Sequence, residues 1–124
     1  VAEVITQLEF SSPIKTVSEA NRPGRESWRT QWERKKDQKA SMHYDLCNAL
    51  RGRQVKLPCT VTLVRVGPKL MDDDNLARAF KAIRDSIANK LGVDDGETDK
   101  IRFRYDQIAI GKHKYLVKVN IQSD

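Results

Sequence analysis

Leu76, Phe80, Ile83, Ile87 and Leu91 recur at steps of three or four residues, and Gly92 closes the run. At about 100° per residue these five side chains form one stripe, so the segment predicts an amphipathic helix that must lie against another layer. Asp74, Arg78, Lys81 and Asp85 fall within about 60° of one another on the opposite side. Asp74 or Asn75 can cap the helix, and Gly92 can end it. Upstream, Cys59 to Val66 alternates β-branched and other residues behind Pro58, the pattern of a strand entered through a proline. Downstream, Ile101 to Ile108 and Tyr115 to Ile121 read as two strands joined by a turn around Gly111.

The first half is less regular. Val4 to Phe10 is rich in strand formers and predicts a first strand. Ser11 to Arg25 holds two prolines, three serines and a glycine, and reads as an ordered loop. From Glu26 to Leu50, Trp28 and Trp32 are four apart, and Met42, Leu46 and Leu50 continue at that spacing. The polar run Glu33 to Lys39 interrupts the stripe, which predicts one long helix with a solvated centre or two shorter ones. The order is strand, helix, strand, helix, strand, strand. It implies a small α+β domain spanning 1–124, with a mixed or antiparallel sheet packed with two main helices.

A chain of 124 residues holds one modest core, and 39% apolar residues with two Trp exclude a disordered tail. No stretch approaches the roughly 18–20 apolar residues of a membrane helix, and no signal-peptide pattern opens the chain, so a soluble cytoplasmic protein without membrane partners is expected. Cys47 and Cys59 form no CxxC pair, and His43 and His113 lie far apart. The cysteines read as small apolar residues, not as a zinc site or disulfide scaffold. The 23 Lys and Arg outnumber 17 Asp and Glu, giving a net charge of +6. Seven of those acids (Asp72, Asp73, Asp74, Asp94, Asp95, Glu97 and Asp99) come from two short segments, so the rest of the chain is far more basic than the total. A basic body with a concentrated acidic spot suits a polyanionic partner met through a metal ion.

Asp72, Asp73 and Asp74 stand between a strand end and a helix start. In an extended segment, residues two apart point the same way, so Asp72 and Asp74 can converge on one ion while Asp73 faces elsewhere. If the chain doubles back after Gly92, the Asp94–Asp95 pair joins them, a hard-oxygen set suited to Mg²⁺ or Mn²⁺. Arg78 and Lys81, on the same helix side, can hold a phosphate oxygen or stabilise charge developing at phosphorus. The plain alternative is that the acids only cap a helix and oppose its dipole, and that Asp94 to Glu97 is a solvated turn. The oxygen spacing of Asp94 to Asp99 does not match the twelve-residue calcium loop.

Arg22, Arg25, Arg29, Lys35, Lys36 and Lys39 surround Trp28 and Trp32 in a basic segment fit to hold DNA. Tryptophans four apart are ordinarily core residues, and that is the expectation for this pair.

The run Asp72-Asp73-Asp74-Asn75-Leu76-Ala77-Arg78, a helix, and then Asp94-Asp95 resembles the RusA-like Holliday junction resolvases of phages and prophages. That family's pattern is Asp-x-Asp-Asn-x-x-Lys, a helix ending near an Asp-Asp pair, and a closing strand pair. The likeness covers about residues 60–122, and more loosely the first strand and Asn21-Arg22-Pro23. It implies a homodimeric Mg²⁺-dependent endonuclease of DNA recombination and repair that binds branched DNA and resolves four-way junctions. It implies that Asp72, Asp74 and Asp95 hold the metal, and it places Arg78 where the family has lysine, with Lys81 nearby on the same face. Two other readings carry over: a non-catalytic branched-DNA-binding module of the same fold, and a flap or single-strand nuclease.

Overall fold

Apolar alternation fixes the largest element. In β4 (Cys59–Gly67), Cys59, Val61 and Leu63 are fully buried while Thr60, Thr62 and Val64 are only partly covered. β4 pairs in parallel with β5 (Ile101–Ala109) and antiparallel with β6 (Leu116–Ser123), and β6 pairs antiparallel with β2 (Gln7–Ser12). The computed structural model, which describes residues 2–17 and 27–124, is thus a small single-domain α+β fold on a mixed sheet ordered β2-β6-β4-β5. Leu8, Val119, Ile121, Val61, Leu63 and Ile101 face the helices and form the core. No described helix is long and apolar enough to cross a membrane.

The expected first strand is two. β1 (Val4–Ile5) pairs in parallel with β3 (Gln54–Val55), whereas β2 belongs to the main sheet. Between them, the Thr6 carbonyl accepts from the Ser123 amide at 2.8 Å. A short strand pattern shows that a segment is extended but not which neighbour it meets.

α1 is one helix, Trp28–Leu50, capped by Ser27, whose hydroxyl accepts from the Thr30 amide at 3.2 Å. It ends at Arg51 in the left-handed region, and Arg53 donates back to the carbonyls of Leu50 (2.8 Å) and Ala49 (3.0 Å). The polar run does not break it, because Glu, Arg, Lys and Gln are good helix formers. Only its lower part is buried, through Gln38, Met42, Leu46 and Leu50. Gln38 reaches the Lys15 carbonyl (3.1 Å) just past the end of β2, and Ser12 donates to Asp45. Above Gln38 the sheet has ended, so the upper turns of α1 stand beyond the core. Trp28 and Trp32 are therefore 71% and 56% exposed, not the core residues their spacing predicted.

The second predicted helix is also divided. α2 (Asp73–Ala79) and α3 (Lys81–Lys90) meet at Phe80, whose amide bonds the Ala77 carbonyl (3.3 Å) in a tightened turn. Phe80 is the largest fully buried side chain and stacks on Tyr105 with centroids 5.6 Å apart. Leu76, Ile83 and Ile87 are buried as the stripe predicted, while Leu91 is half-buried at the end. α3 packs beside α1, with the Ser86 hydroxyl donating to the Lys39 carbonyl at 2.9 Å.

Candidate metal and nucleic-acid site

β2, β4 and β5 run in one direction and end at one edge of the sheet, the upper edge. Sites in open sheets commonly lie beyond strand ends of this kind. α1 lies along β2 and α2–α3 bridges β4 to β5, so both helices start at the upper edge and run downward.

The acidic segment is held there from below. The Met71 amide donates to Gln107 Oε1 (2.8 Å), and its carbonyl accepts from Gln107 Nε2 (2.7 Å). Arg65 donates to the Lys69 carbonyl (2.6 Å). The turn leaving β5 adds bonds from Ile110 to the Gly67 carbonyl (2.9 Å) and from Gly111 to the Pro68 carbonyl (3.2 Å). Gly67 makes room for this arrangement: a Cβ there would sit 2.8 Å from Arg65 Cζ. Arg65 itself is only 4% exposed, its Nε has no partner among the described residues, and burial lowers its pKa. An arginine at an inward position of β4 is the sequence signal for this clamp, and motif spacing alone does not reveal it. Gln107 gave no such signal, since its partner is a backbone thirty-six positions away.

Asp72 is the cap residue of α2, in place of the expected Asp74 or Asn75, and its carbonyl accepts from Leu76 (2.9 Å). Only Asp72 is extended. Asp73 and Asp74 already lie in the first turn, so the strand-like alternation expected of the three does not hold. Asp72, Asp73 and Asp74 are exposed, and none has a side-chain hydrogen bond or ion pair among the described residues. Arg78, on the last turn of α2, is likewise exposed.

The chain does double back after α3. Gly92 turns at φ +77°, Val93 bonds the Ala88 carbonyl (3.0 Å), and the second acidic segment returns along the flank of α3. There Asp95 accepts from Lys81 (2.9 Å) and from Arg84 Nε (3.2 Å). Lys81 also bonds Asp85 (2.9 Å), and Arg84 bonds the Tyr105 hydroxyl (2.7 Å). The hydrogen bond from Lys81 leads in holding the Asp95 carboxyl down at about 2. Bonds to Asp85 and Asp95 raise the Lys81 pKa and keep its ammonium charged. Asp94 is exposed and its amide bonds Glu97 (2.9 Å), so of the pair it is Asp95 that enters this network.

Asp72 and Asp74 fit a hard dication: they are exposed carboxylates free of cations among the described residues, and Mg²⁺ is commonly bound through one or two carboxylates, retained water and a substrate phosphate. Asp95 does not fit in this arrangement, because Lys81 and Arg84 already neutralise it. Among the described residues, no three acidic, histidine or cysteine side chains gather to hold a metal ion.

The basic residues line the upper part of α1. Arg29, Lys35, Lys36 and Lys39 are exposed there, and Arg22 and Arg25 lie outside the described residues. Arg29 lies over the Trp28 ring (5.5 Å) and Lys36 over the Trp32 ring (5.0 Å). Lys15, Lys69, Lys112 and Lys114 add exposed cations on three loops of the same edge, too scattered in sequence to read as one patch. No protein-family model matches this chain, and a search of curated proteins finds no match to it.

Proposed function

We propose that this protein is a Mg²⁺-dependent DNA endonuclease that cuts branched DNA, with the four-way junction as its substrate and a homodimer as its working form. The observation that carries the reading is the pair Asp72 and Asp74, exposed, without cation partners among the described residues, and presented on a backbone clamped by Gln107 and Arg65. The exposed cations of α1 and of three loops share that edge and supply the field that draws in a polyanion. The same reading carries a cytoplasmic location with it.

Asp72 and Asp74 would hold Mg²⁺ or Mn²⁺, which when bound polarises the phosphodiester and neutralises charge on the leaving oxygen. Arg78 contacts the scissile phosphate as a fixed cation. Lys81 stays charged through its bonds to Asp85 and Asp95, so it is no proton acceptor, and it serves as a second cation by exchanging one of those carboxylates for the phosphate. Asp95 orients Lys81 and Arg84. Arg29, Lys35, Lys36 and Lys39 hold the DNA arms. A two-fold dimer offers each of two equivalent strands an equivalent site.

The paired state of Asp95 favours one competing reading, a branched-DNA-binding module without cleavage. Cleavage of an end-labelled four-way junction in Mg²⁺ and in EDTA, beside Asp74→Asn, decides between them. Paired symmetric nicks that need both the metal and Asp74 support the endonuclease. Tight binding without nicks in Mg²⁺ and Mn²⁺ supports the binding module. Preference for flap or linear DNA at equal salt replaces the junction with a different substrate.

A further inference from the structure

We infer that Trp28 and Trp32 form a stacking platform for unpaired bases, so that the DNA bound at this edge carries an opened, single-stranded stretch. The inference rests on the DNA-binding half of the reading above and not on cleavage. At about 100° per residue, Trp28, Trp32, Lys35 and Lys39 fall within about 60° of one another, on the side of α1 that carries Met42, Leu46 and Leu50 lower down. The core-facing side of the helix therefore continues upward past the sheet, with indoles and ammonium groups in place of aliphatic side chains. Both rings are more than half exposed, at 71% and 56%.

That side faces the helix pair α2–α3. α1 and α3 run downward together and touch where Ser86 meets the Lys39 carbonyl, with Lys39 Nζ 4.0 Å from Asp85. Trp28 precedes Lys39 by eleven residues, about 16 Å along α1, so the indoles stand well above this contact. The acidic start of α2 lies on the same edge of the sheet, tied to it through Met71 and Gln107. DNA bound at this edge thus meets both the aromatic faces and the carboxylates.

Charge selects the occupant. A cation lies over each ring, and Arg29, Lys35, Lys36 and Lys39 border the pair. A second copy docking by two-fold symmetry would set these cations against their own counterparts, whereas a nucleic-acid strand offers phosphates to the cations and bases to the rings. Paired bases in a continuous duplex keep their faces covered, so the indoles select unpaired ones.

The chain has two tryptophans, and both are in this patch, so its tryptophan emission reports on nothing else. The test is titration in EDTA with a short oligo-dT strand, a duplex of equal length and a four-way junction. Saturating oligo-dT should quench the emission strongly and the duplex weakly. Read by anisotropy of dye-labelled DNA, which needs no tryptophan, Trp28→Ala/Trp32→Ala should bind oligo-dT at least about tenfold more weakly while duplex affinity changes less than about twofold, and Trp28→Phe/Trp32→Phe should keep most of the binding. Oligo-dT that fails to bind, binding without quenching, or alanine and phenylalanine variants that bind like wild type would each overturn the platform. So would a change from dimer to monomer on alanine substitution, by sedimentation, which would make the patch a self-contact. Quenching by a junction that is never cut would sink the endonuclease and leave the platform standing; cutting without quenching would do the reverse.

Discussion

Gln107 and Arg65 do at residue scale what the acidic side chains cannot do themselves, which is to fix the backbone that carries them. Gln107→Leu leaves both Met71 backbone groups without their partner, which costs about 1–3 kcal/mol where such groups stay buried. If Asp72 and Asp74 act as proposed, cleavage should fall more than stability does, read as turnover at saturating junction beside a urea melt. Unchanged turnover would remove Gln107 from the positioning of the site. Asp95 makes a separate, pH-dependent contribution. Its carboxyl is held at about 2, below the ordinary 3.8, so the fold gains wherever it is ionised. The gain is complete above about pH 4 and disappears as pH falls through about 2. Asp95→Asn should cost on the order of 1 kcal/mol at pH 7, no more because Lys81 is 50% exposed, and should match wild type near pH 2. A stability gap that persists unchanged between those pH values would refute the ion-pair account. Asp72 to Asp74 were legible as a candidate site, exposed at a helix start, because three acids there form a local pattern. Asp95 is expected from the resemblance as a third metal ligand; that it is instead engaged by Lys81 and Arg84 depends on the path of the chain after Gly92, which the sequence does not show.

Among elements, strands were read most closely. Ile101 to Ile108 and Tyr115 to Ile121 became Ile101–Ala109 and Leu116–Ser123, since alternating burial marks a strand locally. Helices were legible in position but not in continuity. The stripe from Leu76 to Leu91 is regular, yet the ring of Phe80 seats against Tyr105 at a break in the helix. Phe80→Ala should cost about 3–5 kcal/mol in a denaturant melt, as for other fully buried aromatics. A loss under about 1 kcal/mol would mean the site collapses around the gap. In α1 the misreading was the opposite: the spacing of Trp28 and Trp32 is that of core residues, but spacing carries no information about where the opposing layer stops. Ser27→Ala removes the side-chain cap at the start of α1. It should fray the first turns, seen as faster amide exchange at Gln31 and Trp32, while the melting temperature changes little. Exchange slowed or unchanged there would show that these turns are supported by something other than their cap.

The arrangement of strands into β2-β6-β4-β5 was beyond sequence reading, because periodicity describes each strand alone and the pairings join distant segments. The fold class was legible, as a mixed or antiparallel sheet with helices; the parallel β4–β5 pair that brings β2, β4 and β5 to one edge was not. At this scale the proposal makes a metal-binding prediction. Mn²⁺ titrated into metal-free protein should bind more weakly to Asp74→Asn by about tenfold or more and equally well to Asp95→Asn, because the first loses a free carboxylate and the second an engaged one. Equal loss in both would return Asp95 to the metal set and require Lys81 and Arg84 to release it.

The pairing of β2 with β6, Gln7 opposite Gln122, has a consequence for the chain as it is made. A ribosome delivers β2 first of the main strands and β6 last, so β2 must wait beside its helix until the end of this segment emerges. The sheet closes in one late step, and premature termination anywhere before β6 leaves an edge strand without its neighbour. Of the main-sheet pairings, the parallel β4–β5 pair alone can form before β6 arrives.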